Sequence, residues 1–169
     1  SLMCSGVFNW DFEYDNRKEF IQGIKDCMIA YNSILPEFER IPIELVLVQA
    51  LHESGSDGSS RFAKEGKNFF GIKAIHGEDH IVSLANASVK VRRFTRGCDS
   101  VIAYTDLLNE SYHYEDFREE RLHQYFVDEI NIEKLIETLS VYAEDKKYIS
   151  KLKDMAYTLR KEGIINENN

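Results

Sequence analysis

No stretch of this chain reaches the roughly 18 consecutive apolar residues of a membrane-spanning helix. The N-terminus has no basic region followed by an apolar core, so no signal peptide is expected within it, and we read the chain as trimmed from a longer product. Leu2-Met3-Cys4-Ser5 bears only a faint likeness to a lipoprotein cysteine. Cysteine is scarce. Cys4, Cys27 and Cys98 are widely spaced and odd in number, which excludes a disulfide-framework scaffold and leaves one pair open. Positive charge is outnumbered, 21 Lys and Arg against 29 Asp and Glu, and a net charge of −8 excludes the basic face that a nucleic-acid partner requires. Internal repeats and low-complexity tracts are absent. What is present is ordinary: 43% apolar and 30% charged residues over 169 positions, enough for one domain that buries a core without staples.

The hydrophobic pattern is mostly helical. From Arg17 to Leu35, Phe20, Ile21, Ile24, Cys27, Met28, Tyr31, Ile34 and Leu35 recur at three-and-four spacing, an amphipathic helix that Pro36 ends. A second helix follows from Pro42. Ser54 to Lys67 is rich in Ser and Gly and reads as a loop. Phe69 to Ile75 and Ser88 to Thr95 alternate enough for two strands of a hairpin. Asp99 to Leu108 opens a further helix with Asp99 or Ser100 as cap. Helices are also expected at Tyr114 to Tyr125, Ile132 to Tyr142 and Lys146 to Glu162. The expected division is an extension over residues 1–16, one domain over 17–162 and a frayed tail over 163–169. The fold class is mainly α (α+β): helices around one buried central helix, with a small β-hairpin bordering a cleft, a lysozyme-like arrangement.

The central helix carries the chemistry. It reads Pro42-Ile-Glu-Leu-Val-Leu-Val-Gln-Ala-Leu-His-Glu53, with Ser54-Gly55-Ser56-Asp57-Gly58 next. Pro42 suits a first helical turn, and the two glycines punctuate the exit. Ile43, Leu45, Val46, Leu47, Val48, Ala50 and Leu51 cover every side, so the helix is buried all round. Glu53 emerges from its C-terminal end, where desolvation and the negative end of the helix dipole both disfavour the carboxylate. Both raise its pKa, as a general acid near neutral pH requires. A glutamate that merely solvates a helix end is the competing reading.

The surrounding residues weigh against that reading. Gln49, Ala50, Glu53, Ser54, Ser60, Arg61, Phe62, Ala63, Asn68, Phe70 and Gly71 fall in order on the pattern P-x-x-L-x-L-A-Q-A-x-x-E-S-x-W-G-x-S-R-F-A-x-x-x-x-N-L-F-G. The chain from about Ile41 to about Arg160 therefore resembles the glucosaminidase family of peptidoglycan hydrolases (glycoside hydrolase family 73 type), most closely its Bax-like branch. The likeness continues through Val91 to Tyr104, through Tyr114 to Arg118, and through Val141 to Leu152, which is similar to the family's G-Y-A-x-D-x-x-Y-x-x-K-L block. Two departures stand out. The family Trp after E-S-G is replaced by Ser56-Asp57-Gly58, and Ile81 to Ser88 lacks the carboxylate that many members carry on the hairpin.

The resemblance implies cleavage of the β-1,4 bond after N-acetylglucosamine in peptidoglycan or a related glycan, with Glu53 as general acid and Tyr142 as a second catalytic residue bordering it. The competing reading of Tyr142 is a core aromatic at a helix end. It also implies a periplasmic, extracellular or cell-envelope location. The second half of such a mechanism stays open between a second carboxylate, the substrate's own N-acetyl group, and a water held by other groups. With a net charge of −8, a wall substrate would be held by local contacts. Asn68 is a candidate substrate ligand or a loop anchor, Phe70 a sugar-stacking ring or core, and Glu78 and Asp79, the acids in the hairpin turn, are candidate substrate ligands. Arg61 reads as an anchor of the long loop. No cofactor or metal is expected: His76-Gly-Glu-Asp-His80 has the composition of a polar turn. His52-Glu53 lacks the second histidine of H-E-x-x-H. Cys98 begins a helix, where thiol pKa falls, yet no histidine is linked to it as base. A monomer is expected. A lytic transglycosylase or muramidase, and a glycan-binding module without turnover, are the alternatives.

Overall fold

The computed structural model describes residues 8–166, so Leu2-Met3-Cys4-Ser5 and the tail beyond Asn166 lie outside it. Among the described residues seven α-helices and one two-stranded antiparallel sheet follow in the order α1 (Arg17–Asn32), α2 (Ile43–Glu53), α3 (Arg61–Gly66), β1 (His80–Val82), β2 (Lys90–Arg92), α4 (Gly97–Glu110), α5 (Glu115–Val127), α6 (Ile132–Ile136) and α7 (Tyr148–Lys161). The mainly helical, lysozyme-like class with a small hairpin is thus what the chain adopts.

The core forms around α2. Leu45 through Leu51 are buried without a break, so this helix has no solvent face. It packs on α1, α6 and α7. Phe20, Ile24 and Met28 of α1, Leu135 and Ile136 of α6, and Leu152, Ala156 and Leu159 of α7 belong to one buried cluster with it. Each fully buried Leu, such as Leu45, Leu47 or Leu51, contributes about 2 kcal/mol relative to an exposed one. α1 starts where Asn16 accepts a hydrogen bond from the Glu19 amide. It ends three residues short of the expected Leu35, and Pro42 stands immediately before α2.

Cys27 and Cys98, the pair left open by the spacing, form a disulfide that joins α1 to the first turn of α4 across 71 positions, with Cα atoms 5.4 Å apart. Cys98 is therefore no free thiol at a helix start. α4 begins at Gly97, two residues early, and its Asp99 caps from the third position by accepting from the Arg96 amide at 3.1 Å.

Three segments differ from expectation for local reasons. The stretch read as loop from Ser54 to Lys67 contains α3, because Ser60 caps it by accepting from the Ala63 amide. Ile132 to Tyr142 is not one helix: α6 stops at Ile136, where the Thr138 hydroxyl donates to the Leu135 carbonyl at 2.6 Å, and Ser140–Tyr142 forms a separate 3-10 turn. In the expected strand Phe69 to Ile75, Gly71 adopts φ +65°, which breaks the extended run. Only the latter half pairs, as an isolated bridge between Lys73 and Val91. The strand beside β2 is β1, with His80 opposite Arg92, Ile81 opposite Val91 and Val82 opposite Lys90.

The two ends of the chain also pack onto the domain. Phe12 and Tyr14 close on Phe69, at centroid distances of 5.6 and 6.0 Å, and the Tyr14 hydroxyl donates to the Gly58 carbonyl at 2.6 Å. Asp11 pairs with Lys67 at 2.8 Å and accepts from the Gly97 amide at 3.0 Å, while the Cys98 amide donates to the Trp10 carbonyl at 2.8 Å. Residues 8–16 are thus part of the folded body. At the other end Ile165, expected in a frayed tail, is 5% exposed and joins the core cluster.

Candidate active site

Glu53 is the last residue of α2, and the chain leaves the helix immediately behind it: the Ser54 amide bonds to Ala50 O at 3.0 Å and the Ser56 amide to Leu51 O at 2.8 Å, with Gly55 at φ +85°. The carboxyl group is held from two sides. Its Oε1 accepts a hydrogen bond from the Tyr148 hydroxyl at 2.9 Å. Its Oε2 lies over Gly71, so closely that a Cβ at position 71 would stand 2.8 Å away. A side chain there would displace the acid, and the positive φ of Gly71 independently favours glycine.

Burial raises the Glu53 pKa above its ordinary value of 4.5, and the Tyr148 hydrogen bond opposes that rise. Neither influence is a neighbouring acid. The partner is a phenol and not a cation, so the carboxyl is not locked in an ion pair. Glu53, Gly71, Ile72 and Tyr142 are each only partly buried, which places the acid at the surface end of the core.

A layer of aromatic rings supports it. Tyr148, at the start of α7, stacks parallel to Tyr142 at 5.8 Å, and His52 meets the Tyr148 ring edge-on at 5.4 Å. The Tyr142 hydroxyl donates to the Phe70 carbonyl at 2.6 Å. Phe70 itself stacks on Tyr104 at 4.3 Å. Burial pushes the phenols of Tyr104, Tyr142 and Tyr148 up, and their proximity to Glu53 adds to this, so all three stay neutral. Burial and nearby Lys151 lower the His52 pKa, against the opposite pull of Asp145.

Behind the acid runs a chain of side-chain hydrogen bonds. Gln49, one turn before Glu53 on the same helix, donates from Nε2 to the Tyr148 oxygen at 3.1 Å. Its Oε1 accepts from the Tyr104 hydroxyl.

The structure brings together Glu53 and Tyr142 of the sequence candidates, and separates the others from that role. Asn68 is 1% exposed. Its Nδ2 donates to the carbonyls of Ile72 at 2.8 Å and Arg92 at 2.9 Å, and its Oδ1 accepts from the amides of Phe70 at 3.3 Å and Ile72 at 3.1 Å. With its amide so occupied it is the loop anchor, not a substrate ligand. Phe70 is fully buried, so its ring is core and its carbonyl is the useful part. Glu78 accepts from the Ile75 amide at 2.8 Å and pairs with Arg92 at 2.9 Å, while exposed Asp79 pairs with Arg93 at 3.9 Å. Both acids therefore shape the hairpin. Arg61 anchors as expected, pairing with Glu65 at 3.1 Å and donating to the Val82 carbonyl at 2.8 Å. Among the described residues no group of three His, Cys, Asp or Glu side chains gathers to hold a metal.

Gln49, Gly71, Tyr104 and Tyr148 received no role from sequence reasoning. Gln49 had a readable signal, its four-residue spacing from Glu53 on one helix face. Tyr148 joins from 95 positions away; its signal was its place as the second tyrosine of the Val141–Leu152 block, which does not by itself name the acid as its partner. Two concavities lie elsewhere: one of about 880 Å³ at the N-terminal end of α2, lined by residues including Pro42, Leu47, Arg121 and Tyr125, and one of about 460 Å³ beside β2 and α4, lined by Arg92, Arg93 and Arg96 among others.

The catalytic domain of the autolysin Auto from Listeria monocytogenes superposes with a TM-score of 0.61 at 16% identity, covering 96% of this chain and 93% of that one, a likeness of fold. No curated protein matches the sequence significantly. Residues 29–161 match the glucosaminidase family, described as mannosyl-glycoprotein endo-beta-N-acetylglucosaminidase. With that match spanning most of the chain and holding Glu53 and its ring layer within it, the protein belongs to the glucosaminidase family of glycoside hydrolases.

Proposed function

We propose that this enzyme hydrolyses the β-1,4 bond after N-acetylglucosamine in peptidoglycan, with Glu53 as the general acid. One observation carries the reading: a carboxyl whose pKa is raised by burial, held by a phenol at the partly exposed end of a core helix. Protonated Glu53 gives its proton to the glycosidic oxygen as the bond from C1 to that oxygen breaks, and positive charge develops at C1. The forces that set the Glu53 pKa include no second acid, and the hairpin acids are paired with arginines. These observations favour attack on C1 by the oxygen of the substrate's own N-acetyl group, forming a cyclic intermediate. Water then opens it, and the Glu53 carboxylate takes up the water proton, which restores the acid and retains configuration. Tyr142 has its only phenolic hydrogen on the Phe70 carbonyl. Its oxygen is left to accept, and the acetamide N–H is the matching donor.

The Cys27–Cys98 bridge supports a periplasmic, extracellular or cell-envelope setting, since such bonds persist in oxidising compartments. Among the described residues no helix is long and apolar enough to cross a membrane. The active species is the monomer.

The test compares wild type with Glu53→Gln on purified cell wall. Wild type clears the wall, and the variant loses at least about a hundredfold, the low end for removal of a general acid. Mass spectrometry of the fragments shows reducing N-acetylglucosamine ends. Anhydro-muramic ends would point to a transglycosylase, binding without clearing would point to a glycan-binding module, and equal clearing by both proteins would overturn the assignment of Glu53.

A further inference from the structure

We propose that Gln49, acting through Tyr148, fixes which oxygen of Glu53 carries the acidic proton, and that this oxygen is Oε2 above Gly71. The inference rests on Glu53 being the general acid. It follows from counting donors and acceptors along one buried row. Tyr104 is fully buried and its hydroxyl bonds the Gln49 carbonyl oxygen, so that end of the amide is an acceptor. The other end is an NH₂ group, which has only hydrogens to offer. Facing it at 3.1 Å, the Tyr148 oxygen has to accept. The single hydrogen of the Tyr148 hydroxyl is then free for its other neighbour, Oε1 of Glu53 at 2.9 Å.

The row therefore runs one way: Tyr104 to Gln49, Gln49 to Tyr148, Tyr148 to Glu53. Oε1 receives a hydrogen and has no need of its own, so the acid proton resides on Oε2. That oxygen lies over the one residue, Gly71, which puts no side chain in front of it. Gln49 and Tyr148 are positioning residues in this scheme, because both are buried behind the acid and act through it. The same bond persists when Glu53 gives its proton away, and so readies the carboxylate to take one back from water.

The experiment measures pH–rate profiles on purified cell wall for wild type, Tyr148→Phe, Gln49→Met and the double variant. Tyr148→Phe removes the hydrogen bond to Oε1 and keeps the ring. The alkaline limb of kcat moves to higher pH, because the carboxylate loses a stabilising donor, and kcat at the optimum falls roughly tenfold with KM little changed. Gln49→Met lowers kcat in the wild-type background and has no further effect when Phe stands at 148, since the two act in series. An unshifted limb in Tyr148→Phe overturns the proposal, as does an equal loss from Gln49→Met in both backgrounds. Thermal melts check that each variant folds; if Gln49→Met does not, the limb of Tyr148→Phe decides alone. Failure of the underlying reading looks different: Glu53→Gln would retain wild-type turnover whatever happens at 148.

Discussion

At the scale of single residues, a buried carboxyl has a thermodynamic signature as well as a catalytic one. The folded state binds the Glu53 proton more tightly than the unfolded chain does, because burial raises its pKa. The protonated group therefore favours folding below the ordinary value of 4.5, and that contribution is lost as pH rises through the raised value. Glu53→Gln removes the titration while Gln still accepts from Tyr148. The variant should melt roughly 2–4 °C above wild type at pH 7, with the gap closing toward pH 4, in paired calorimetric scans. A gap that widens on acidification would show that the carboxylate is favoured in the fold. Glu53 drew attention in the sequence because it ends an apolar helix and falls on the family's E-S motif, both of which are local features. Tyr148 was not, since its hydroxyl reaches the acid only after α7 docks on α2.

At the scale of elements, the segment from Asn68 to β2 holds the site in place. Asn68 bonds the carbonyl of Ile72 on its own loop and of Arg92 on β2, and its oxygen turns the backbone at Phe70, whose carbonyl receives Tyr142. Asn68→Ala leaves four backbone groups without that partner. It should cost about 1–3 kcal/mol in denaturant unfolding and lower kcat, because the Phe70 carbonyl shifts under Tyr142. A variant as stable as wild type with only KM raised would instead return Asn68 to the substrate. Periodicity revealed α1, where apolar residues recur at three-and-four spacing, while α2 is legible from the apolar run after Pro42. It misread α3, which is six residues long and starts on a serine cap within a Ser- and Gly-rich stretch. It also extended the strand before Lys73 through Phe69 and Phe70, whose apolar character reflects core burial and not pleating.

At the scale of the whole molecule, one covalent link ties α1 to α4 across the packed helices. The loop it closes spans 71 positions, and the chain-entropy model gives about 4 kcal/mol for a loop of that size, with about 2–4 typical of measured bridges. Denaturant unfolding with and without reductant, or of the double variant Cys27→Ser and Cys98→Ser, should show a loss in that range. No loss would mean that the packing of α1 on α4 alone holds the pair. The three cysteines gave no hint of the pairing, because only the fold brings positions 27 and 98 together. The N-terminal segment has a practical implication of the same global kind. Residues 8–16 fasten the first turn of α4, Lys67 and the Gly58 turn to one another before the first helix begins. A truncation at Arg17 would sever those ties and release the exit loop of α2, so any tag or leader belongs upstream of Phe8.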